Sequence, residues 1–126
     1  MTTTRLFLFL GSISSLLAVA LGAFGAHGLR GKISPEMMAS YQTGVQYHLY
    51  HSFGLLAVAF AASHLGDTGL IRWAGWMMVA GIVLFSGSIY ALSTTGIRSL
   101  GIITPFGGTA FLVGWLLLAA GALVAS

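Results

Sequence analysis

Charge is what this chain has least of. Of 126 residues, five are Lys or Arg and two are Asp or Glu, while 57% are hydrophobic. Mean hydropathy is +0.96. A soluble domain of this size needs a far more polar surface, so the water-soluble globular class is excluded. Cysteine is absent, which excludes disulfides, thiolate metal sites and thiol catalysis. So few cations cannot build the basic stripe that neutralises phosphates, so nucleic acid is excluded as a partner. The only two prolines are Pro35 and Pro105, and both stand where a helix would start.

What the chain does have is four long apolar runs, Leu6–Ala26, Val45–His64, Leu70–Leu92 and Phe106–Ala125. Each has roughly the twenty residues that a helix needs to cross a hydrocarbon core about 30 Å thick. The charged residues Arg5, Arg30, Lys32, Glu36, Asp67, Arg72 and Arg98 all fall in the connections or near run ends. The expectation is one all-α domain over residues 1–126, a polytopic four-transmembrane-helix bundle. Arg5 followed by an apolar stretch and small residues at Ala23–Ala26 resembles a secretory signal. The run is longer than a signal's apolar region, and it is read as a retained first helix.

Punctuation agrees with four helices. Gly28 and Gly31 end the first. Ser34–Pro35–Glu36 offers a hydroxyl cap, a proline in the first turn and an early acid, so helix two is expected to begin near residue 35, before its apolar part. Gly66–Gly69 separates runs two and three, Gly96 caps the third, and Thr104–Pro105 starts the fourth. Arg5 and Arg72 lie on one side, Arg30, Lys32 and Arg98 on the other. That difference is too small to fix the orientation by the positive-inside rule.

Small residues define packing faces. Gly11, Ser15, Ala18, Gly22 and Gly25 fall within about 80° on helix one, and Gly107, Gly114 and Gly121 recur every seven residues on helix four. In lipid no hydrophobic force draws helices together, so such stripes act by bringing backbones into van der Waals contact, within one chain or between copies.

The polar residues are one-sided. The alternation of spans puts His27, Tyr41, Gln46, Tyr47, His48, Tyr50, His51, Ser86, Ser88, Tyr90, Ser93 and Thr104 toward the loop-one and loop-three side, whereas the other half offers little beyond His64, Asp67, Trp73 and Trp76. Unpaired polar groups in a membrane are costly, so the concentration marks a candidate site. On helix two, Tyr41, Gly44, His48 and His51 share one face within about 80°. Imidazoles at i and i+3 can hold a metal or ligand, or relay a proton. His27 would join them as a third ligand only if helix one breaks at Gly25, because an ideal helix puts it about 160° from Gly11.

Three readings of these residues compete. They bond headgroups, water and backbone; they form a pocket for a lipid, quinone or other small ligand; or they bind a metal or haem through His48, His51 and His27. No carboxylate lies among them, which argues against a catalytic zinc centre or a carboxylate proton relay, and neither HExxH nor GxSxG is present. Ser86 and Ser88 fit helix-packing hydroxyls better than nucleophiles. Trp73 and Trp76 fit an interfacial belt.

Four ordered motifs make the chain familiar: Gly22–Leu29 (GAFGAHGL), Tyr47–His51 (YHLYH), Phe85–Tyr90 (FSGSIY) and Ile103–Gly108 (ITPFGG). In these the chain resembles the small inner-membrane protein family of unknown function typified by bacterial YgdD and YwdK, over nearly its whole length. The resemblance implies a four-span protein of a bacterial inner (plasma) membrane. It supplies no catalytic residues, cofactor or substrate.

The expectation is therefore a non-enzymatic integral membrane protein in a lipid bilayer. A site formed by His27, Tyr41, Tyr47, His48, His51, Ser86, Ser88, Tyr90 and Thr104 would bind a small ligand, a lipid or a membrane partner, a second copy included. The alternatives are a metal- or haem-linked redox accessory protein and, further off, an oligomeric transporter or channel.

Overall fold

The computed structural model describes residues 1–125. It is built from α1 (Thr3–Phe24), a π-helical turn (Gly25–Leu29), α2 (Pro35–Leu65), α3 (Gly69–Gly81), a second π-helical turn (Ile82–Ser86), α4 (Gly87–Thr95), a short 3₁₀ turn (Arg98–Ile102) and α5 (Thr104–Val124). The first π turn continues α1, and the second joins α3 to α4, so four rods result.

Local chemistry sets the rod ends. The Arg5 amide donates to the Thr2 hydroxyl at 3.1 Å, and the Met37 amide to the Ser34 hydroxyl at 3.1 Å, with Pro35 in the first turn. Each cap satisfies a helix-start donor that has no partner within the helix. At the far end of α4, Gly96 takes φ +75° and its amide bonds the Leu92 carbonyl at 2.9 Å. That left-handed stop suits glycine, which has no Cβ to clash.

Three rods are long and apolar enough to cross a membrane: Thr3–Leu29, Gly69–Thr95 and Arg98–Val124. The fourth, α2, has ample length at 31 residues, about 46 Å at 1.5 Å per residue. It begins at Pro35, before its apolar part, as expected, but it is not among the helices apolar enough to count as a span, so the expected fourth span is not matched. The reason is position. α2 is the central rod, packing on α1, α3, α4 and α5, so Tyr41, His48, His51 and Ser52 are buried against protein, although Gln42, Thr43 and Gln46 stay exposed, while α1 and α5 turn large apolar residues such as Leu16, Val19, Leu112 and Leu116 outward.

The core gathers toward the loop-two end, where Phe7, Leu55, Val58, Ile71, Ala74 and Met78 are buried together. Glycines let the rods close. A Cβ on Gly75 would run into the Phe7 ring, one on Gly25 into the Tyr41 ring, and one on Gly107 into the backbone of Phe85. Gly11 faces Leu56, Gly22 faces Val45, Gly114 faces Met78 and Gly121 faces Ile71. Ala18 is buried, and Ser15 bonds its own helix at the Gly11 carbonyl. The small residues on α1 and α5 thus meet neighbours within the same chain. Exposed ion pairs lie at opposite ends of the molecule, Asp67–Arg72 at 3.4 Å and Glu36–Arg98 at 3.5 Å. Such pairs contribute little.

Candidate functional site

His48 sits at the centre of a closed hydrogen-bonded circuit joining three rods. Its Nδ1 lies 2.8 Å from the Tyr90 hydroxyl on α4, and its Nε2 lies 3.1 Å from the Ser14 hydroxyl on α1. Ser14 Oγ is in turn 2.6 Å from Ser52 Oγ, and Ser52 donates to the His48 carbonyl at 2.8 Å. His48 and Ser52 are buried on one face of α2, one turn apart.

The hydrogens of this circuit have one consistent order. A hydroxyl has a single hydrogen and a carbonyl has none. Ser52 therefore spends its hydrogen on the His48 carbonyl and can only accept from Ser14. Ser14, having given its own hydrogen, must accept from His48 Nε2–H. Neutral His48 then carries no hydrogen on Nδ1, which accepts from Tyr90. Every polar hydrogen in the circuit is committed, as it must be in surroundings where an unmet donor is costly.

His51 belongs to a second cluster. Its Nδ1–H donates to the Tyr47 carbonyl one turn back at 2.7 Å, and its Nε2 accepts from the Trp115 indole N–H on α5 at 2.9 Å. Phe111 stacks on the imidazole with ring centroids 3.5 Å apart and planes 9° apart. The two histidines thus hold opposite tautomers and address different neighbours.

The structure does not bring the three histidines of the expected metal site together. Both ring nitrogens of each imidazole already have partners, and His48 turns to α1 and α4 while His51 turns to α5. The helix does widen at Gly25, yet His27 stays exposed and joins neither cluster. Among the described residues no three His, Cys, Asp or Glu are grouped to hold a metal ion.

The remaining candidates divide between the clusters and the rod contacts. Tyr41 is buried, donates to the Leu21 carbonyl at 2.5 Å and packs its ring 5.3 Å from that of Tyr90. Tyr47 is partly exposed against Phe85 and Tyr50. Ser86 donates to the Gly44 carbonyl at 2.7 Å, pinning the second π turn to α2. Ser88 and Thr104 share a 2.6 Å bond that ties α4 to the start of α5. Ser93 is buried, and its Oγ has no protein partner among the described residues.

Beside the His48 circuit runs a cleft of about 410 Å³ between α1 and the α3–α4 rod. Phe7 closes its loop-two end, reaching across to Gly75 and packing on Trp76 at 5.3 Å. Leu10, Ile13 and Leu17 form one wall, Val79, Ile82 and Val83 the other, with Leu55 and His48 from α2 as floor. The lining is almost wholly apolar, its polar point being Ser14, His48 and Tyr90. Ile82 and Val83 belong to the second π turn, a distortion of the kind that recurs at functional sites. The outward edges of Ile13, Leu17 and Val83 are exposed, so the cleft opens sideways.

Sequence reasoning missed Ser14, Ser52, Phe111 and Trp115. Ser14 lies near the middle of α1 and Trp115 near the middle of α5, so the clusters lie deeper than a grouping by loop end implies. The one signal was the face itself: Ser52 stands one turn after His48.

Comparison with known proteins adds the family. Residues 21–108 match the family described as "Protein of unknown function (DUF423)". The UPF0382 membrane protein YwdK of Bacillus subtilis (strain 168) is 56% identical over 114 residues, covering 90% of this chain and 93% of that protein. The chain belongs to this family. The UPF0382 membrane protein SERP0230 of Staphylococcus epidermidis is 45% identical over 115 residues, 90% of this chain and 92% of that one. No solved structure matches. The protein is thus a membrane protein in a family of unknown function, and its relatives' names bring no ligand or chemistry.

Proposed function

We propose that this protein is a non-enzymatic four-span membrane protein that holds a small amphiphile in the cleft between α1 and the α3–α4 rod. The observation that carries the proposal is the pairing of a lateral apolar cleft with one polar point, the Ser14–His48–Tyr90 edge of the circuit, in which His48 is buried and Ser14 and Tyr90 are partly so. A volume of about 410 Å³ suits a small lipid or a single chain, and apolar walls with few polar groups are the usual make-up of small-molecule sites. Opening toward the bilayer lets such a ligand enter without crossing water.

The same features support α2 as the fourth span. Its length exceeds the hydrocarbon thickness, its buried histidines and serines are bonded within the protein, and lipid accepts polar side chains when neighbouring helices satisfy them. The cleft holds no carboxylate, and Ser14 gives its hydrogen to Ser52 and not to the imidazole, an order that speaks for binding over turnover.

Gly87 offers the test. It lines the cleft, and a Cβ there would meet nothing closer than the Ile82 carbonyl oxygen at 4.0 Å. Gly87→Leu therefore fills the cleft without forcing the backbone. Protein purified gently from membranes is extracted and its lipids identified by mass spectrometry. A species retained by the wild type and lost from Gly87→Leu is expected. Equal retention by both proteins, or none by either, rejects the cleft as a binding site.

A further inference from the structure

The hydrogen order of the circuit sets what kind of polar group the cleft accepts, and this step rests on the cleft being the binding site. We infer that the cleft selects an amphiphile whose polar group donates a hydrogen bond, an alcohol in preference to an ether, ester or ketone.

Four contacts make up the circuit: Tyr90 to His48 Nδ1, His48 Nε2 to Ser14, Ser14 to Ser52, and Ser52 to the His48 carbonyl. In the order derived above every hydrogen is committed within the circuit. What the cleft edge still offers is lone pairs, those of the Tyr90 oxygen, which accepts nothing within the circuit, and the second one on Ser14 Oγ. An incoming hydroxyl donates to one of these and adds a bond without disturbing the rest.

A ligand that can only accept faces a different balance. Tyr90 must turn its hydrogen outward to the ligand. His48 must then exchange its proton on Nε2 for one on Nδ1, with no change of charge, so that Nδ1–H bonds the Tyr90 oxygen. Ser14 turns to donate to Nε2, and Ser52 turns to donate to Ser14. Every contact survives except that between Ser52 and the His48 carbonyl. The acceptor complex therefore holds one hydrogen bond fewer than the donor complex. One net hydrogen bond in a protein corresponds to about fivefold in affinity.

Ser52 is the positioning residue in this scheme. It is fully buried and does not line the cleft, yet its hydrogen bond to the backbone gives the circuit its direction. Without that hydroxyl, the forward and reversed circuits hold equal numbers of bonds. Ser52→Ala is thus expected to equalise donor and acceptor ligands although it touches neither.

The experiment measures dissociation constants of farnesol and farnesyl methyl ether for the full-length protein in detergent micelles, by equilibrium dialysis of the labelled compounds. The two probes share a chain and differ in the donor. Wild type is expected to hold the alcohol about fivefold more tightly, Ser52→Ala to hold both about equally, and Gly87→Leu to hold neither. Equal wild-type affinities with loss in Gly87→Leu overturn the donor rule and leave the cleft standing. A preference that survives Ser52→Ala overturns the hydrogen order as its cause. Binding unaffected by Gly87→Leu, or absent from the wild type, overturns the cleft itself.

Discussion

Ser14 on α1 and His48 on α2 are joined by a 3.1 Å hydrogen bond deep between the two rods, far from any loop. The Gly11 turn lies just before Ser14 and lets α2 approach until Leu56 and the Ser52 carbonyl touch it. Small residues bring the helices close, and the closeness lets a short serine reach an imidazole. Packing and polar bonding at this contact are one device. Because the imidazole also reaches Tyr90, it links α1 to α4 across a gap that those rods leave open.

A double-mutant cycle measures that link. Ser14→Ala and His48→Ala are each expected to destabilise the fold, His48→Ala more so because it leaves a cavity and strands the Tyr90 hydroxyl. The coupling between them should be about 0.5–1.7 kcal/mol, the range found for polar pairs between membrane helices. Unfolding equilibria in bicelles by steric trapping supply the four free energies. A coupling within error of zero would show that the bond contributes nothing to stability.

The second cluster gives an independent prediction. Trp115→Phe keeps an aromatic ring against His51 but removes the indole N–H that donates at 2.9 Å. The loss should cost about 1 kcal/mol, and His51 Nε2 loses its one donor among the described residues. ¹⁵N NMR of histidine-labelled protein checks the assignment. His51 should show Nδ1 protonated and His48 Nε2 protonated, two opposite tautomers in one spectrum. Matching tautomers would contradict the hydrogen order of one cluster.

Much of the fold could be read from sequence because its determinants are local. Apolar length, Ser34–Pro35 and Gly96 are properties of neighbouring residues, and the rods end close to where these place them. The shared face of Tyr41, His48 and His51 was equally legible, since helical spacing fixes it. Which helix each side chain would meet was not. His48 and His51 are about 60° apart around α2, and that angle is enough to send one to α1 and α4 and the other to α5. Ser14 had no signal of its own, because an isolated serine in an apolar run looks the same whether it bonds its own backbone, as Ser15 does, or a neighbour. The cleft is a property of how α1 and the α3–α4 rod diverge beyond Phe7, and nothing in a single helix records it.

The divergence of the histidines predicts their behaviour toward metals. Zinc or copper would have to displace Tyr90 or Ser14 from His48, and the Tyr47 carbonyl or Trp115 from His51, and would still find one imidazole at a time. Added Zn²⁺ or Cu²⁺ at micromolar concentration is expected to leave the thermal midpoint unchanged. A site occupied at a hundred times its dissociation constant would instead stabilise the fold by about 2.7 kcal/mol. A metal-dependent rise abolished by His48→Ala would support the metal reading instead.

Two adjacent glycines on α5 should respond to the same substitution with opposite sign. Gly107 packs on the main chain of Phe85, and a Cβ there would overlap backbone atoms that have no rotamer to escape into. Gly108, one residue on, has nothing nearer to an added Cβ than the Phe85 ring edge at 3.8 Å, an ordinary contact. Gly107→Ala must push α5 away from the second π turn, strain the Ser88–Thr104 bond and cost about 1–3 kcal/mol, the usual penalty of overpacking. Gly108→Ala adds a better helix former at no steric cost and should be neutral or stabilise by up to about 1 kcal/mol. Thermal unfolding of the two variants in the same detergent compares them directly. If both shift equally, the close approach of α5 to Phe85 does not govern stability. The expected split, with only Gly107→Ala falling, ties the assembly of the last helix to a single point of backbone contact.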